Sequence, residues 1–280
     1  MSPYSPVRPS PIAGSWYPAN PAALEREVSG YIKHAAIPSL PGEVLGLIAP
    51  HAGYFYSGAT AGYAYRCVED MSFDLCAVFS PLHDYYPYDF ITSAHEFYAT
   101  PFGMIKIDQD IVSICSKNLQ QMTGIPLQHI ANDREHSLEI QLPFLQTALN
   151  SPFSLFPIMV RTHEPGLLQS AAQAFANVLK DKKVLLIAST DLSHFYDQKT
   201  ANAYDAVMLQ HIASFSPQGV LEAERTGKGF ACGAGAVALM LWTCQALGGK
   251  IVTLLNHSTS ADASGDTGRV VGYGAAAVTR

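Results

Sequence analysis

Charged side chains are scarce in this chain. Asp, Glu, Lys and Arg together make up 14% of the 280 residues, hydrophobic residues make up 48%, and the formal net charge is -6. So much apolar side chain can fill a large core, which excludes a largely disordered protein. Because there is no basic excess to neutralise phosphates, the composition predicts no binding to nucleic acid and no attachment to an anionic membrane surface.

The chain also lacks a long apolar run. No stretch of about 18 consecutive apolar residues is present, which argues against a membrane-spanning helix. The proline-containing residues 1–20 lack the apolar segment of a signal peptide. The five cysteines are odd in number and lie mostly within apolar stretches. This usage is typical of a reducing compartment, so we expect a cytoplasmic protein in which a special cysteine acts as a ligand or a nucleophile.

Short apolar runs alternate with helical patterns along the whole chain. We predict strands at 44–49, 75–79, 153–160, 183–188, 251–255 and 269–278. We predict helices at 21–34, 59–68, 109–119, 137–149, 166–180, 198–214, 217–225 and 232–247, and Pro143 should kink or shorten the fourth of these. The alternation predicts an α/β fold with one domain over 1–280, an arm at 1–20 packed on it, and a parallel or mixed sheet flanked by helices.

Histidines directly follow three of the predicted strands. His51 follows the first strand, His83 follows the second, and His194, together with Asp191, follows the fourth. Ligands of open α/β sheets bind beyond the carboxyl ends of the strands, so we expect these side chains to meet at one site. Taken singly, Asp191 is equally consistent with a helix N-cap, and His194 with an exposed helical residue.

Cys232 is a further candidate, because it follows a glycine-containing segment and precedes an alanine-rich helical pattern. A cysteine in the first turn of a helix experiences the positive end of the helix dipole, which favours the thiolate that binds metals or attacks substrates. The alternative is a small cysteine that only packs. We favour that alternative for the other four: Cys67, Cys76, Cys115 and Cys244.

His136 and Glu139 are three residues apart in a predicted helix and therefore share a face. There they would form a proton-transfer pair or support the ligands of a nearby metal ion. Spacing alone favours the alternative, an ordinary acidic first helical turn with a surface histidine. The pair therefore stays a hypothesis at this point.

Six ordered blocks of the sequence resemble those of the Memo-like family. They are AGSWYP at 13–18, IAPHAGYFYSG at 48–58, EHSLEIQLPF at 135–144, STDLSH at 189–194, CG at 232–233, and GDT at 265–267 followed by VVGY at 270–273. The resemblance extends from about residue 11 to residue 280. Six blocks in this order are far more specific than one short motif.

This resemblance implies a fold, a site and partners. The family is structurally related to the class III (LigB-like) non-haem iron dioxygenases, which implies a three-layer α/β architecture. By resemblance, His51, His83 and Cys232 would coordinate a metal ion, and Asp191 and His194 would be catalytic, with His194 as the base. Prokaryotic relatives belong to the AmmeMemoRadiSam system, which implies AMMECR-type and radical-SAM proteins as partners.

The block around the second histidine departs from the family pattern. Relatives commonly have GPxHH or GPNH there, whereas this chain has SPLHD at 80–84. The ligand position is kept, but Asp84 occupies the position after it. We therefore expect this loop to differ in pocket shape and in its contact with substrate.

The leading hypothesis from the sequence is a metal-dependent oxidoreductase. Two imidazoles and a thiolate leave coordination positions open, as in a reactive site, and the thiolate favours iron or copper over zinc. His194 would be the general base, oriented by Asp191. The substrate would be a small molecule or a peptide with an aromatic-like group. Pocket and supporting positions would be His136, Glu139, Tyr54 and Asp84, with Tyr56, Tyr85 and Tyr86 at the pocket mouth.

Two other functions fit the same residues. One is a non-catalytic module that binds a peptide or protein on a dioxygenase scaffold, with the loop at 80–82 and the side chains of Trp16 and Tyr17 as its recognition surface. The other is a metal-dependent hydrolase, in which the metal ion activates water.

Overall fold

The computed structural model describes residues 4–280. This part of the chain contains nine α-helices: α1 (Pro21–His34), α2 (Tyr54–Arg66), α3 (Gln109–Thr123), α4 (Leu142–Ala148), α5 (Pro165–Leu179), α6 (Gln198–Ala213), α7 (Pro217–Arg225), α8 (Ala234–Ala246) and α9 (Ala261–Ser264). None of these described helices is long and apolar enough to cross a membrane.

The same residues form twelve strands: β1 (Val7–Arg8), β2 (Val44–Ala49), β3 (Leu75–Pro81), β4 (Phe90–Ser93), β5 (Phe97–Thr100), β6 (Gly103–Lys106), β7 (Gln128–Ile130), β8 (Ser154–Val160), β9 (Val184–Ser189), β10 (His194–Tyr196), β11 (Ile251–Thr259) and β12 (Val270–Thr279). Nine of them form the main sheet, in the order β10-β12-β2-β9-β3-β8-β4-β7 with β11 on β12. The central strands β2, β9, β3 and β8 are parallel, whereas β12 runs antiparallel to β2 and β4 antiparallel to β8. The sheet is therefore mixed.

Helices pack on this sheet in two groups. α1, α2 and α4 contact one another, and α2 lies against β2, β11 and β12. In the second group α5 packs between α3 and α8, and α8 lies against β2, β3 and β9. These three parallel strands are buried along their whole lengths, as expected for strands covered on both faces. The predicted α/β fold with a mixed sheet flanked by helices is confirmed.

The N-terminal arm is held by one buried arginine. β1 pairs with β5 in a separate three-stranded sheet. Arg8 forms ion pairs with Asp133 at 2.7 Å and with Glu139 at 2.6 Å, and it donates to the carbonyl oxygen of Glu135 at 2.7 Å. The arm is therefore tied to the 133–139 segment, which also contributes to the candidate site.

The helix predicted at 137–149 is wrong in extent. A single 3-10 turn forms at Glu139–Gln141, and α4 begins only at Leu142, with Pro143 in its first turn. Proline is favoured there, because the first turn of a helix does not use its N–H groups. Pro143 therefore begins the helix rather than kinking it. The strands β4 to β7 and β10 were not predicted, because they have three or four residues each and are too short to show a periodic pattern.

Candidate functional site

Polar side chains meet where three neighbouring parallel strands end. His51 follows β2, His83 follows β3, and Asp191 and His194 follow β9. Because these strands are adjacent in the order β2-β9-β3, the chain brings the four side chains to one edge of the sheet. All four line a cavity of about 700 Å³.

His51 lies at the buried end of this cavity, and its tautomer is determined by Ser189. The Ser189 hydroxyl donates its one proton to the carbonyl oxygen of Ser137 at 2.6 Å and accepts from Gln141 Nε2 at 2.8 Å. The contact at 3.1 Å between Ser189 Oγ and His51 Nδ1 must therefore be donated by the imidazole. Burial lowers the pKa of His51 well below its ordinary value. The ring is thus neutral, with the lone pair on Nε2.

His83 is oriented by a carboxylate. Its Nδ1 lies 2.9 Å from Glu135 Oε1, and its backbone N–H donates to Glu135 Oε2 at 2.6 Å. Glu135 also accepts the backbone N–H groups of His136 and Ser137, so one buried carboxylate connects two loops. The hydrogen bond that His83 donates to Glu135 raises the pKa of His83. It also places the ring proton on Nδ1 and leaves Nε2 available, the arrangement that commonly supports a histidine ligand.

His136 completes a group of three imidazoles. Its ring is stacked on His83, with centroids 4.6 Å apart, and lies 4.2 Å from the ring of Trp16 in the N-terminal arm. Burial lowers the pKa of His136 to about 4, so it is neutral at pH 7. One ring nitrogen from each of His51, His83 and His136 lies within 4.8 Å of the other two.

Cys232 lies directly beside this group. Its Sγ is 3.0 Å from His51 Nε2 and accepts the backbone N–H of Asp191 at 3.3 Å. The predicted thiolate-stabilising helix start is not found, because α8 begins at Ala234 with Gly233 as its cap. Burial raises the pKa of the Cys232 thiol, with the nearby Asp191 carboxylate adding to the effect. The protein alone therefore favours the thiol, whereas a bound cation would favour the thiolate.

His194 and Asp191 take separate places in the cavity. His194 Nδ1 lies 2.8 Å from the carbonyl oxygen of Leu192, which can only accept, so His194 carries its proton on Nδ1 and a lone pair on Nε2. Burial lowers its pKa and keeps it neutral. The expectation that Asp191 orients His194 is wrong, because the Leu192 carbonyl does so. Asp191 instead accepts the backbone N–H of His51 at 2.7 Å, and burial raises its pKa to about 7.

Three predicted pocket residues lie away from the cavity. Glu139 is completely buried under Arg8, where Tyr17 also donates to it at 2.7 Å, so it does not pair with His136. Tyr54 is a core residue whose hydroxyl donates to the carbonyl oxygen of Ile140. Asp84 is exposed beyond the cavity lining.

Of the three tyrosines predicted for the pocket mouth, one lines the cavity. Tyr56 lines the cavity, whereas Tyr85 lies outside it. The guanidinium carbon of Arg161 is 4.9 Å from the ring centroid of Tyr85. Tyr86 likewise does not line the cavity.

The fold brings to the site several residues that were not predicted from the sequence. Glu135 was quoted only as part of a sequence block, although a carboxylate directly before a candidate histidine is a signal that could have been used. Phe195 lines the cavity from β10, Arg269 from the residue before β12, and Tyr273 from β12 itself. Tyr273 was quoted only as part of the VVGY block, and nothing in the local sequence of Phe195 or Arg269 marks either as a site residue.

The donor set suits a transition-metal ion. Imidazole nitrogens bind zinc, copper and iron, and a thiol sulfur beside them favours the softer or redox-active ions. His51 and His83 each present an unprotonated Nε2, and the protons on their Nδ1 atoms are held by Ser189 and Glu135. The residues present therefore fit a bound metal ion.

Comparisons with known proteins agree with the sequence blocks. The family model described as Memo-like protein matches residues 8–277. A MEMO1 family protein from Nitrosopumilus maritimus is 30% identical over 273 residues, covering 96% of this chain and 98% of the relative. One from Ignicoccus hospitalis is 31% identical over 285 residues, covering 96% and 97%.

A solved structure supports the fold. An uncharacterized protein from Escherichia coli K12 superimposes with a TM-score of 0.51 at 10% sequence identity, covering 85% of this chain and all of the other. This likeness concerns the fold alone. The family model matches residues 8–277, and relatives of 30% and 31% identity match 96% of the chain. The chain therefore belongs to the Memo-like family.

Proposed function

We propose that this protein is a metal-dependent oxidoreductase, related to non-haem iron dioxygenases, that binds iron or copper at the histidine cluster. The convergence of nitrogens from His51, His83 and His136 within 4.8 Å carries the proposal. A redox-active ion bound there would supply the electron-transfer chemistry that amino-acid side chains lack. The cavity beside it has the volume typical of small-molecule sites, so the substrate is a small molecule or the end of a peptide.

The chain's own residues would orient the ion's ligands and move a proton. Ser189 and Glu135 hold the protons of His51 and His83 on Nδ1, so each ring directs its lone pair to the site. His194 is neutral and has a bare Nε2 in the same cavity, which makes it the general base for a substrate hydroxyl or amine.

Two residues compete for the third ligand position. His136 is favoured by the mutual distances of the three imidazoles. Cys232 is favoured by its Sγ, 3.0 Å from His51 Nε2, and by the family resemblance. The choice affects the metal, because a thiolate favours iron or copper, whereas three imidazoles are also the ligand set of catalytic zinc.

Elemental analysis after anaerobic purification tests the proposal. We expect near-stoichiometric iron or copper in the wild type and its loss in His51→Ala. The same loss in only one of His136→Ala and Cys232→Ser identifies the third ligand. His129→Ala, an exposed histidine of β7 outside the cavity, is the matched control and should keep its metal. Retention of metal by His51→Ala, or a wild type that binds no iron, copper or zinc, would refute the metal centre.

A metal-dependent hydrolase is the second candidate, favoured by the group of three imidazoles. In that case the bound ion is zinc, which activates water. Stoichiometric zinc, unchanged in Cys232→Ser and lost in His136→Ala, together with ester or amide hydrolysis, would favour the hydrolase over the oxidoreductase.

A further inference from the structure

Arg269 lines the cavity at its exposed rim. Among residues 4–280, it is the only lysine or arginine in the cavity lining. Its guanidinium carbon lies 4.8 Å from the ring centroid of Phe195, and no described residue accepts a hydrogen bond from the guanidinium or forms an ion pair with it. The five N–H donors of the guanidinium are therefore available to a ligand, while the aromatic ring limits its orientation.

The backbone of Phe195 has an unusual conformation. Its φ is 66°, in the left-handed region that bulky side chains rarely adopt, and the pairing of β10 with β12 shifts register between His194 and Tyr196. The ring is 59% exposed and lines the cavity directly after the candidate base, His194. A non-glycine residue at such a φ costs free energy, so the observed outlier points to a role for the Phe195 side chain outside the core.

The walls of the cavity suit a flat ring. Trp16, Tyr56, Phe195 and Tyr273 come from four separate segments of the chain and all line it. Aromatic side chains favour a flat apolar ligand, and an unpaired guanidinium favours a carboxylate or phosphate that accepts two parallel hydrogen bonds. The cavity thus offers two complementary features: an apolar wall and a cation at the rim.

We infer that the substrate is a small aromatic molecule with an anionic group, and that Arg269 binds this group. The inference rests on the proposed function, since that function places the aromatic part of the substrate near the histidine cluster. It makes Arg269 a specificity-determining residue. Phe195 positions Arg269 and contacts the aromatic part of the substrate.

Asp266 lines the same rim and is the residue that opposes this inference. Its Oδ1 accepts the backbone N–H of Gly268 at 2.9 Å, and it forms no ion pair with Arg269 in the described part of the chain. Because Asp266 and Arg269 are both exposed, water screens the repulsion between Asp266 and a bound anion. The direct hydrogen bonds from Arg269 therefore outweigh it.

Binding of three simple probes to the purified protein tests the inference. Benzoate and phenyl phosphate carry the two anions, and benzamide is the neutral analogue of benzoate. The variants are Arg269→Met and, as a matched control, Arg161→Met, whose guanidinium also lies over an aromatic ring but outside the cavity. Dissociation constants come from NMR titration.

We expect benzoate or phenyl phosphate to bind the wild type and Arg161→Met alike, and to bind Arg269→Met at least about tenfold more weakly, because charge-assisted hydrogen bonds are lost. Benzamide should bind wild type and Arg269→Met equally. The tighter of the two anions in the wild type identifies the group that Arg269 prefers. Equal binding of the anions by wild type and Arg269→Met, or no binding of either anion by the wild type, would overturn the inference.

The same titrations are made on metal-free protein, and metal content is measured separately. Arg269-dependent anion binding without any bound metal would leave this inference standing and count against the metal centre. Stoichiometric metal, with anion binding that does not depend on Arg269, would support the metal centre and overturn this inference. The two proposals can therefore fail independently.

Discussion

The Glu135 carboxylate contacts His83 on both its backbone and its ring. Oε2 accepts the His83 backbone N–H at 2.6 Å, and Oε1 accepts the ring Nδ1–H at 2.9 Å. This arrangement fixes the loop after β3 and the tautomer of the ring at the same time. Because His83 is a candidate metal ligand, a change in the charge of Glu135 should alter metal binding.

Glu135→Gln should change the pH dependence of metal binding. Glu135 raises the pKa of His83, so a proton competes more strongly with the metal for this ring, and metal binding requires a higher pH. The amide removes that effect, so the pH at which the affinity falls to half of its plateau value should move to lower pH. Affinity at the plateau should fall about 10- to 100-fold, because the support of the ligand is weakened. Metal titrations at a series of pH values measure both effects.

The exposed Glu222→Gln is the matched control for that experiment. Glu222 pairs with Arg225 on the surface of α7, away from the cavity, so its variant should bind metal as the wild type does. An unchanged pH midpoint in Glu135→Gln would contradict the assigned role of Glu135.

Arg8→Met should strongly destabilise the fold. Arg8 is 1% exposed and compensates two buried carboxylates, Asp133 and Glu139. Breaking a buried ion pair from one side typically costs about 3–5 kcal/mol, because the remaining charge is left uncompensated. Arg225→Met removes an exposed ion pair that water screens, so it should change the free energy of unfolding far less than Arg8→Met does. Denaturant unfolding of both variants compares the two costs, and similar values would contradict this account of the arm.

The strain at Phe195 can be measured with two variants that both lack the ring. Phe195→Gly should be more stable than Phe195→Ala by about 1 kcal/mol, because glycine adopts a φ of 66° without the clash of a Cβ atom. The lost side-chain contacts are nearly the same in both variants and cancel in the comparison. Equal free energies of unfolding would mean that the backbone relaxes and stores no strain.

Gly233→Ala should disturb the segment that carries Cys232. A Cβ at Gly233 would lie 2.4 Å from the carbonyl oxygen of Ser189, which is backbone and has no freedom to rotate away. Overpacking of this kind typically costs about 1–3 kcal/mol. Gly30→Ala in α1 is the control, because nothing lies within 4 Å of its Cβ position and alanine is favoured in a helix by up to about 1 kcal/mol. Thermal unfolding should shift in opposite directions for the two variants.

Much of the fold follows from local patterns in the sequence. The strand at 44–49 and the helices at 21–34 and 217–225 were predicted with the observed bounds. Central parallel strands are buried on both faces, so they appear as continuous apolar runs. The short strands at the sheet edges have no such run, and their pairing depends on segments far away in the chain.

The site was only partly predictable for a related reason. His51, His83 and His194 could be placed at one edge because each follows a central strand, and parallel strands end together. Helical spacing suggested that Glu139 shares a face with His136, on the assumption of a regular helix. The observed 3-10 turn and the buried Arg8 take Glu139 elsewhere. Helical spacing predicts a shared face only where the helix exists.

The sequence by itself determined the family, the α/β class and the strands that carry the histidines, because these depend on hydrophobic runs and on blocks of neighbouring residues. Only the tertiary structure decided which groups surround each histidine: Ser189 on His51, Glu135 on His83, Leu192 on His194. It also decided that Phe195 and Arg269 meet at the cavity rim. Such contacts join residues that are distant in the chain, and their geometry depends on how the sheet orders its strands.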